Sequence, residues 1–149
     1  FFYMPERKDP DPDIYAAGDC ADAVHVVTGQ KTWIPLALRA NRAGWAVADN
    51  VCGKPIHLDG IVGTAVFKVL DLASHRTGLA YEEAEKAGFD PVEASITSRS
   101  RAHAHTGSLS IQVHMVGDRK NGRLLGVQMV DSNTAYAWSS SKLFKYEAQ

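Results

Sequence analysis

Three groups of residues in this chain have the types and spacing to do chemistry. The first is Asp19, at the end of DPDIYAAGD, where a short apolar run stops at Gly18 and an acid stands just beyond it. Ligands of open α/β sheets bind outside the carboxyl ends of the strands. A Gly-Asp ending brings backbone close to such a ligand and offers a carboxylate that only accepts hydrogen bonds. Hydroxyls of a sugar or ribitol are suitable donors. The competing role is local, because Asp commonly closes the turn that follows it. The second group is the start of the segment opening at Pro35, in TWIPLALRANRAG. A helix beginning there leaves free N–H groups and a positive dipole end for a carbonyl or an anion. An acceptor for hydroxyls and a helix start for a polarised carbonyl together suit a flavin. The third group is the SRSRAHAHTGS segment, where His103 and His105 would share one face of an extended chain. Imidazole exchanges protons near neutral pH, which suits a proton donor in catalysis. As metal ligands the two lack a third member nearby, and as ordinary loop histidines they are merely solvated. Arg99 and Arg101 flank them and could meet a phosphate-bearing substrate.

The only cysteines, Cys20 and Cys52, stand far apart without CxxC spacing. Neither a zinc site nor a disulfide framework is suggested, and both are expected to be buried free thiols in a structural role. Gly60 and Gly63, in GIVG, lack the third glycine of a dinucleotide-binding turn. No metal is expected.

These residues need a scaffold, and 149 residues with 45% hydrophobic content allow one ordinary domain or two small ones with a packed core. A net charge of −1 supplies no basic field, so nucleic acid is excluded as a partner. No apolar run approaches the roughly 20 residues that a membrane span needs, and no signal peptide is evident. A cytoplasmic location is expected. The opening FFYM, without an initiator methionine, reads as a piece of something longer.

Residues 5–13 are polar and proline-rich, an extended connector. Ile14–Ala17 read as a short strand buried on both faces. Pro35–Cys52 read as a helix, capped upstream by Thr32 and stopped by Gly53 and Pro55. Its inward stripe would be Ala37, Ala40, Gly44, Ala48 and Val51, small residues that let another backbone come close. Beyond Lys54 the character changes. Ile61–Leu72 read as one strand, Tyr81–Ala87 as a short helix stopped by Gly88, and Ala94–Ser98, Ser108–Val116 and Arg123–Val130 as three more strands. Asn121-Gly122 joins the last two as a hairpin. The sequence thus predicts an α/β segment followed by an α+β unit with an antiparallel sheet.

The segment DPDIYAAGDCADAVHVVTGQKTWIPLALRANRAGWAVADNVCG resembles the late FAD-binding segment of the pyridine nucleotide-disulfide oxidoreductases. It is most similar to the coenzyme A-disulfide reductase, NADH oxidase and NADH peroxidase group. IYAAGD, PLA, ANRAG and a closing asparagine-x-x-glycine agree in order and spacing as well as identity. GTAVFKVLDLASHRTGLAYEEAEKAGFDP resembles the start of that group's dimerisation domain, and NGRLLGVQMV its terminal hairpin. The resemblance implies residues 1–57 as the end of an FAD-binding domain, 58–130 as an incomplete dimerisation domain and 131–149 as a divergent tail. It implies that Gly18 and Asp19 meet the flavin ribitol and that Pro35, Leu36 and Ala37 face the pyrimidine edge of the isoalloxazine. Asn41 and Arg42, one turn further, would approach the substrate side or lie on plain surface.

It also implies a homodimer, formed by a sheet face that includes Ile111, Val113, Leu125 and Val127, that lends residues to the partner's active site. The loop position that carries tyrosines in coenzyme A-disulfide reductases here carries His103, His105 and Thr106. The parent would be an FAD-dependent NAD(P)H oxidoreductase acting on thiol or disulfide, polysulfide, or oxygen and peroxide acceptors, and this part alone would be inactive. Neither cysteine is the redox cysteine of such enzymes. The alternative is a non-catalytic dimerisation module that no longer binds flavin. The tail, DSNTAYAWSSSKLFKYEAQ, lacks a helical stripe and reads as a truncation, a shifted frame or an appended segment.

Overall fold

The structure is a computed structural model describing residues 14–102 and 104–132, and it divides between Gly63 and Thr64 into two compact units. In the first, β1 (Ala23–Val24) and β2 (Lys31–Thr32) form a small antiparallel hairpin. The hairpin is closed where His25 N–H donates to the Gln30 carbonyl at 2.8 Å. Ile61 lies parallel alongside, giving its N–H to Val24 at 2.9 Å and accepting from Val26 at 3.0 Å. The approach is close enough that a Cβ on Gly60, at φ +111°, would stand 2.5 Å from the Val24 carbonyl oxygen.

The helix α1 spans Ala37–Val51, with Leu36 as its extended N-cap. Thr32 does not cap it, since that residue is paired in β2. At the other end Gly53 turns left-handed at φ +77°, and Lys54 N–H closes onto the Asp49 carbonyl at 2.8 Å. The expected inward stripe is corrected: Ala37, Gly44, Ala48 and Val51 are exposed, Ala40 is half-buried, and Ala43 and Ala46 are the buried pair. Alanine and glycine occupy so many positions here that apolar spacing alone selects no face. The largest apolar side chains, Leu38 and Trp45, lie outside it and are exposed. Ile14–Ala17 are likewise not a strand. They join neither sheet, and Ile14 is exposed rather than covered on two sides. A central parallel strand requires neighbours on both edges, and the described residues supply none.

The second unit is a five-stranded antiparallel sheet in the order β3-β4-β7-β6-β5. Its strands are β3 (Ala65–Val69), β4 (Leu72–Gly78), β5 (Pro91–Arg99), β6 (Ser110–Asp118) and β7 (Leu124–Asp131). The single strand expected over 61–72 is instead a tight hairpin, Val69 pairing with Leu72 around a turn in which Leu70 takes φ +53°. The loop after β6 is longer than a two-residue turn. Gly122 alone is left-handed, at φ +72°, with its N–H on the Asp118 carbonyl at 2.8 Å, while the Asn121 side chain accepts from Arg123 N–H.

Alternation sorts the sheet's two faces. Ile111, Val113, Leu125 and Val127 share one, where Leu125 and Val127 are buried and the other two half-buried. His75 and Asp131 are buried on the same face, 3.1 Å apart. On the other face Arg76 and Gln128 oppose each other and hold the start of α2 (Tyr81–Lys86). Arg76 donates to Glu83 at 2.6 Å and Gln128 to the Leu79 carbonyl at 3.2 Å. Glu83 also accepts the Ala80 N–H at 2.8 Å, which fixes the first turn of this short helix. The chain reaches α2 by passing directly over Gly126. A Cβ on that residue would land on the Leu79 backbone, and one on Gly78 would land on the Leu125 carbonyl. Two facing glycines are what let β4 leave the sheet there.

Candidate functional site

The candidate site lies in the first unit, where the turn after Ala17 meets the first turn of α1. Gly18 is left-handed at φ +96°, and the turn closes through Ala21 N–H to the Gly18 carbonyl at 3.2 Å. Cys20 adds its thiol, donating to the Ala17 carbonyl at 3.3 Å. Asp19 sits on the crest and is exposed. Its carboxylate takes no part in closing the turn and bonds none of the described residues, so the local role weighed for it is absent. The turn is nevertheless held rigidly from behind.

Two residues that sequence reasoning did not single out supply that rigidity. Arg39, in the first turn of α1, sends one guanidinium nitrogen to the carbonyls of Gly18 at 3.1 Å and Ala21 at 2.8 Å. Its second nitrogen reaches the Asp22 carbonyl at 2.6 Å. Trp33 donates its indole N–H to the Asp19 carbonyl at 2.7 Å. One signal for Arg39 was present in the sequence. A cation in a helix's first turn opposes the dipole, so its placement there requires another use.

The start of α1 is open to a ligand. Leu36 makes no side-chain cap and no acid occupies the first turn. The Ala40 N–H is the first to find a helical carbonyl, that of Leu36 at 2.9 Å. The N–H groups of Ala37, Leu38 and Arg39 therefore precede the ladder, as at any helix start. Pro35 contributes no N–H and is exposed, with Leu36 half-buried. An unbonded acceptor and an uncapped helix start, tied together by Arg39, form a donor and acceptor set that fits a ligand bearing both hydroxyls and a polarised carbonyl. A flavin nucleotide has both. Asn41 and Arg42 are exposed, one turn further along α1.

The remaining candidates divide differently. His105 is exposed in the second unit, with its backbone N–H on the Ala102 carbonyl at 2.9 Å; His103 lies outside the described residues. Arg99 is committed to its own loop, donating to the Ser108 hydroxyl at 2.9 Å and carbonyl at 2.7 Å, and Arg101 reaches the Thr106 carbonyl at 3.4 Å. Both act as loop staples. Among the described residues no group of three or more His, Cys, Asp or Glu could hold a metal ion. The expectation of buried thiols is corrected: Cys20 and Cys52 are both free and exposed, one on the turn and the other at the helix end.

No protein-family model matches the chain. It is similar to an NAD(P)H coenzyme A polysulfide/persulfide reductase of Pyrococcus horikoshii, 42% identical over 121 residues, covering 81% of this chain and 27% of that protein. It is also similar to an NADH oxidase of Streptococcus pyogenes, 32% identical over 130 residues, 86% of this chain and 28% of that protein. Among solved structures, an NAD-dependent persulfide reductase from A. fulgidus superposes with a TM-score of 0.83 at 30% identity, over 89% of this chain and 25% of that one. The chain thus spans just over a quarter of the length of these curated relatives.

Proposed function

The chain belongs to the pyridine nucleotide-disulfide oxidoreductases, matching their C-terminal part, and on that premise we propose that it completes the flavin site of an FAD-dependent NAD(P)H oxidoreductase. Bound FAD would supply two-electron transfer between NAD(P)H and a thiol, disulfide, polysulfide or oxygen-type acceptor. The chain's own residues bind and orient. Asp19 accepts hydrogen bonds from ribitol hydroxyls, and the left-handed Gly18 keeps the backbone beneath them free of a side chain. The first turn of α1, with Pro35, Leu36 and Ala37, presents N–H groups and the positive dipole end to the pyrimidine edge. One or two such donors stabilise negative charge there by about 1–2 kcal/mol.

The single observation carrying this reading is that Trp33 holds the Asp19 carbonyl and Arg39 the carbonyls of Gly18, Ala21 and Asp22 around it, while the Asp19 carboxylate bonds none of the described residues. Asn41 and Arg42, exposed on the next turn, face the substrate side in this reading. The second unit pairs two copies into a homodimer, and the loop carrying His103 and His105 brings proton donors to the partner's active site. A cytoplasmic location accompanies this chemistry.

The test is Asp19→Ala in the whole oxidoreductase that carries this segment. Flavin per protomer, read from visible absorbance of the purified protein, falls several-fold while the far-ultraviolet circular dichroism is unchanged. Undiminished flavin in that variant would remove Asp19 from the site. Flavin absent from the unsubstituted protein, even after reconstitution, would instead favour a dimerisation module without cofactor.

A further inference from the structure

A second constellation lies outside the flavin reading, on the sheet face that also carries Arg76 and Gln128. Ser95 on β5 stands directly opposite His114 on β6, and Glu93 precedes Ser95 by two residues on the same face. The Ser95 hydroxyl and His114 Nδ1 are 2.7 Å apart, and His114 Nε2 is 2.8 Å from a Glu93 carboxylate oxygen. We propose that Glu93, His114 and Ser95 form a nucleophilic acyl-transfer site for small activated esters.

In the neutral imidazole these contacts fit one tautomer. The Glu93 carboxylate can only accept, so that tautomer carries its ring proton on Nε2. Nδ1 then holds the lone pair, and the serine hydroxyl donates to it. That is the state in which an imidazole is ready to take a hydroxyl proton, with a third group holding its tautomer. Ser95 and His114 border an open depression of about 380 Å³ whose lining includes Thr97, Gln112, Gln128 and Val130, with Glu93 behind His114 outside it. Gln128 gives its amide to the Leu79 carbonyl. Thr97 and Gln112 are directly opposite each other, one same-face pair beyond Ser95 and His114. That step is roughly 7 Å along the strands, which leaves room for an ester carbonyl between the pairs and two side-chain donors for its developing oxyanion.

The balanced step is simple. Ser95 Oγ attacks the ester carbonyl carbon as its proton passes to His114 Nδ1, and the leaving alcohol departs with that proton. Water then attacks the acyl-serine, again with His114 as base, releasing the carboxylic acid and restoring Ser95. Nothing is oxidised or reduced. The His114 and Glu93 side chains are 36% and 42% exposed, so water competes for their hydrogen bonds and turnover is slow beside that of an enclosed triad. The ordinary alternative is a cross-strand clip that only steadies the β5–β6 pair.

The deciding experiment incubates the full 149-residue chain with p-nitrophenyl acetate, following nitrophenol release and locating acetyl groups by peptide mass spectrometry. An acetyl group on Ser95 is expected, lost in Ser95→Ala. His114→Gln slows its formation by about 100-fold, and Glu93→Gln by at least about tenfold. Acetylation confined to lysines overturns the proposal. So does a Ser95 adduct that forms equally fast in His114→Gln, or a His114→Gln variant that loses stability with no acylation to lose.

Discussion

Arg39 and Gly18 are joined by a hydrogen bond of 3.1 Å, from a guanidinium nitrogen on the first turn of α1 to the carbonyl at the crest of the turn carrying Asp19. The same side chain also holds Ala21 and Asp22. Three carbonyls are therefore tied to one half-buried cation. Hydrogen bonds to a charged group contribute about 1.5–3 kcal/mol when made well. Three on one side chain are not additive, so Arg39→Ala is expected to cost about 2–3 kcal/mol in all. Arg39→Lys recovers only part, because an ammonium cannot span the carbonyls with a planar fork. Chemical denaturation measures the loss. Faster hydrogen exchange at the Ala21 amide locates it in this turn.

Gly44 and Gly126 respond to the same substitution with opposite sign. Gly44 lies within α1 with nothing near a built Cβ, so Gly44→Ala gains helix propensity of up to about 1 kcal/mol. Gly126→Ala would drive a methyl into the Leu79 backbone, where no flexible side chain can yield. A cost of about 3 kcal/mol or more is expected, at the upper end of overpacking penalties. Two thermal melts suffice to check both. A neutral Gly126→Ala would mean that the crossing into α2 is looser than the backbone indicates.

What the sequence disclosed was local, and what it hid was pairwise. The helix start near Pro35, the stops at Gly53 and Gly88 and the three later strands follow from signals within a few residues of each site. The inward face of α1 was hidden because alanine and glycine repeat at every phase of the helix. The exposed position of Asp19 just past Gly18 was legible from its context even though Ile14–Ala17 form no strand among the described residues. Arg39 and Trp33 were not, since their partners are backbone carbonyls that carry no sequence signature. Ser95 and His114 meet only through the β5–β6 register, which no local pattern specifies.

His75 and Asp131 form a pair across β4 and β7, with both side chains almost wholly buried. Removing Asp131 takes from the buried His75 Nε2 its hydrogen-bond partner, whereas replacing both residues with apolar groups can be nearly neutral. Asp131→Ala is therefore expected to cost about 3 kcal/mol. His75→Leu combined with Asp131→Leu should cost distinctly less than the sum of the two single changes. A double-mutant cycle in urea reads the difference as a coupling energy on the order of 1 kcal/mol or more. Strict additivity would show that the two groups do not depend on one another.

Leu70 is the one described non-glycine residue at positive φ, +53°, at the turn between β3 and β4, and it is 87% exposed. Neither property suits leucine. The left-handed conformation costs an L-residue with a Cβ about 1–2 kcal/mol, and an apolar side chain in water gains nothing in return. Its presence also explains why the sequence looked like one continuous strand: Leu70-Asp71 lacks the glycine or asparagine that announces a tight hairpin. Asparagine tolerates this conformation because its short side chain bonds to nearby backbone. Leu70→Asn should accordingly stabilise the second unit by up to about 1 kcal/mol. That corresponds to a few degrees in Tm, with no change in the hydrogen-exchange pattern of β4 or β7. A fall in Tm on that substitution would show that Leu70 is held against an apolar surface of another molecule, and that the strain at its backbone is the cost of that contact.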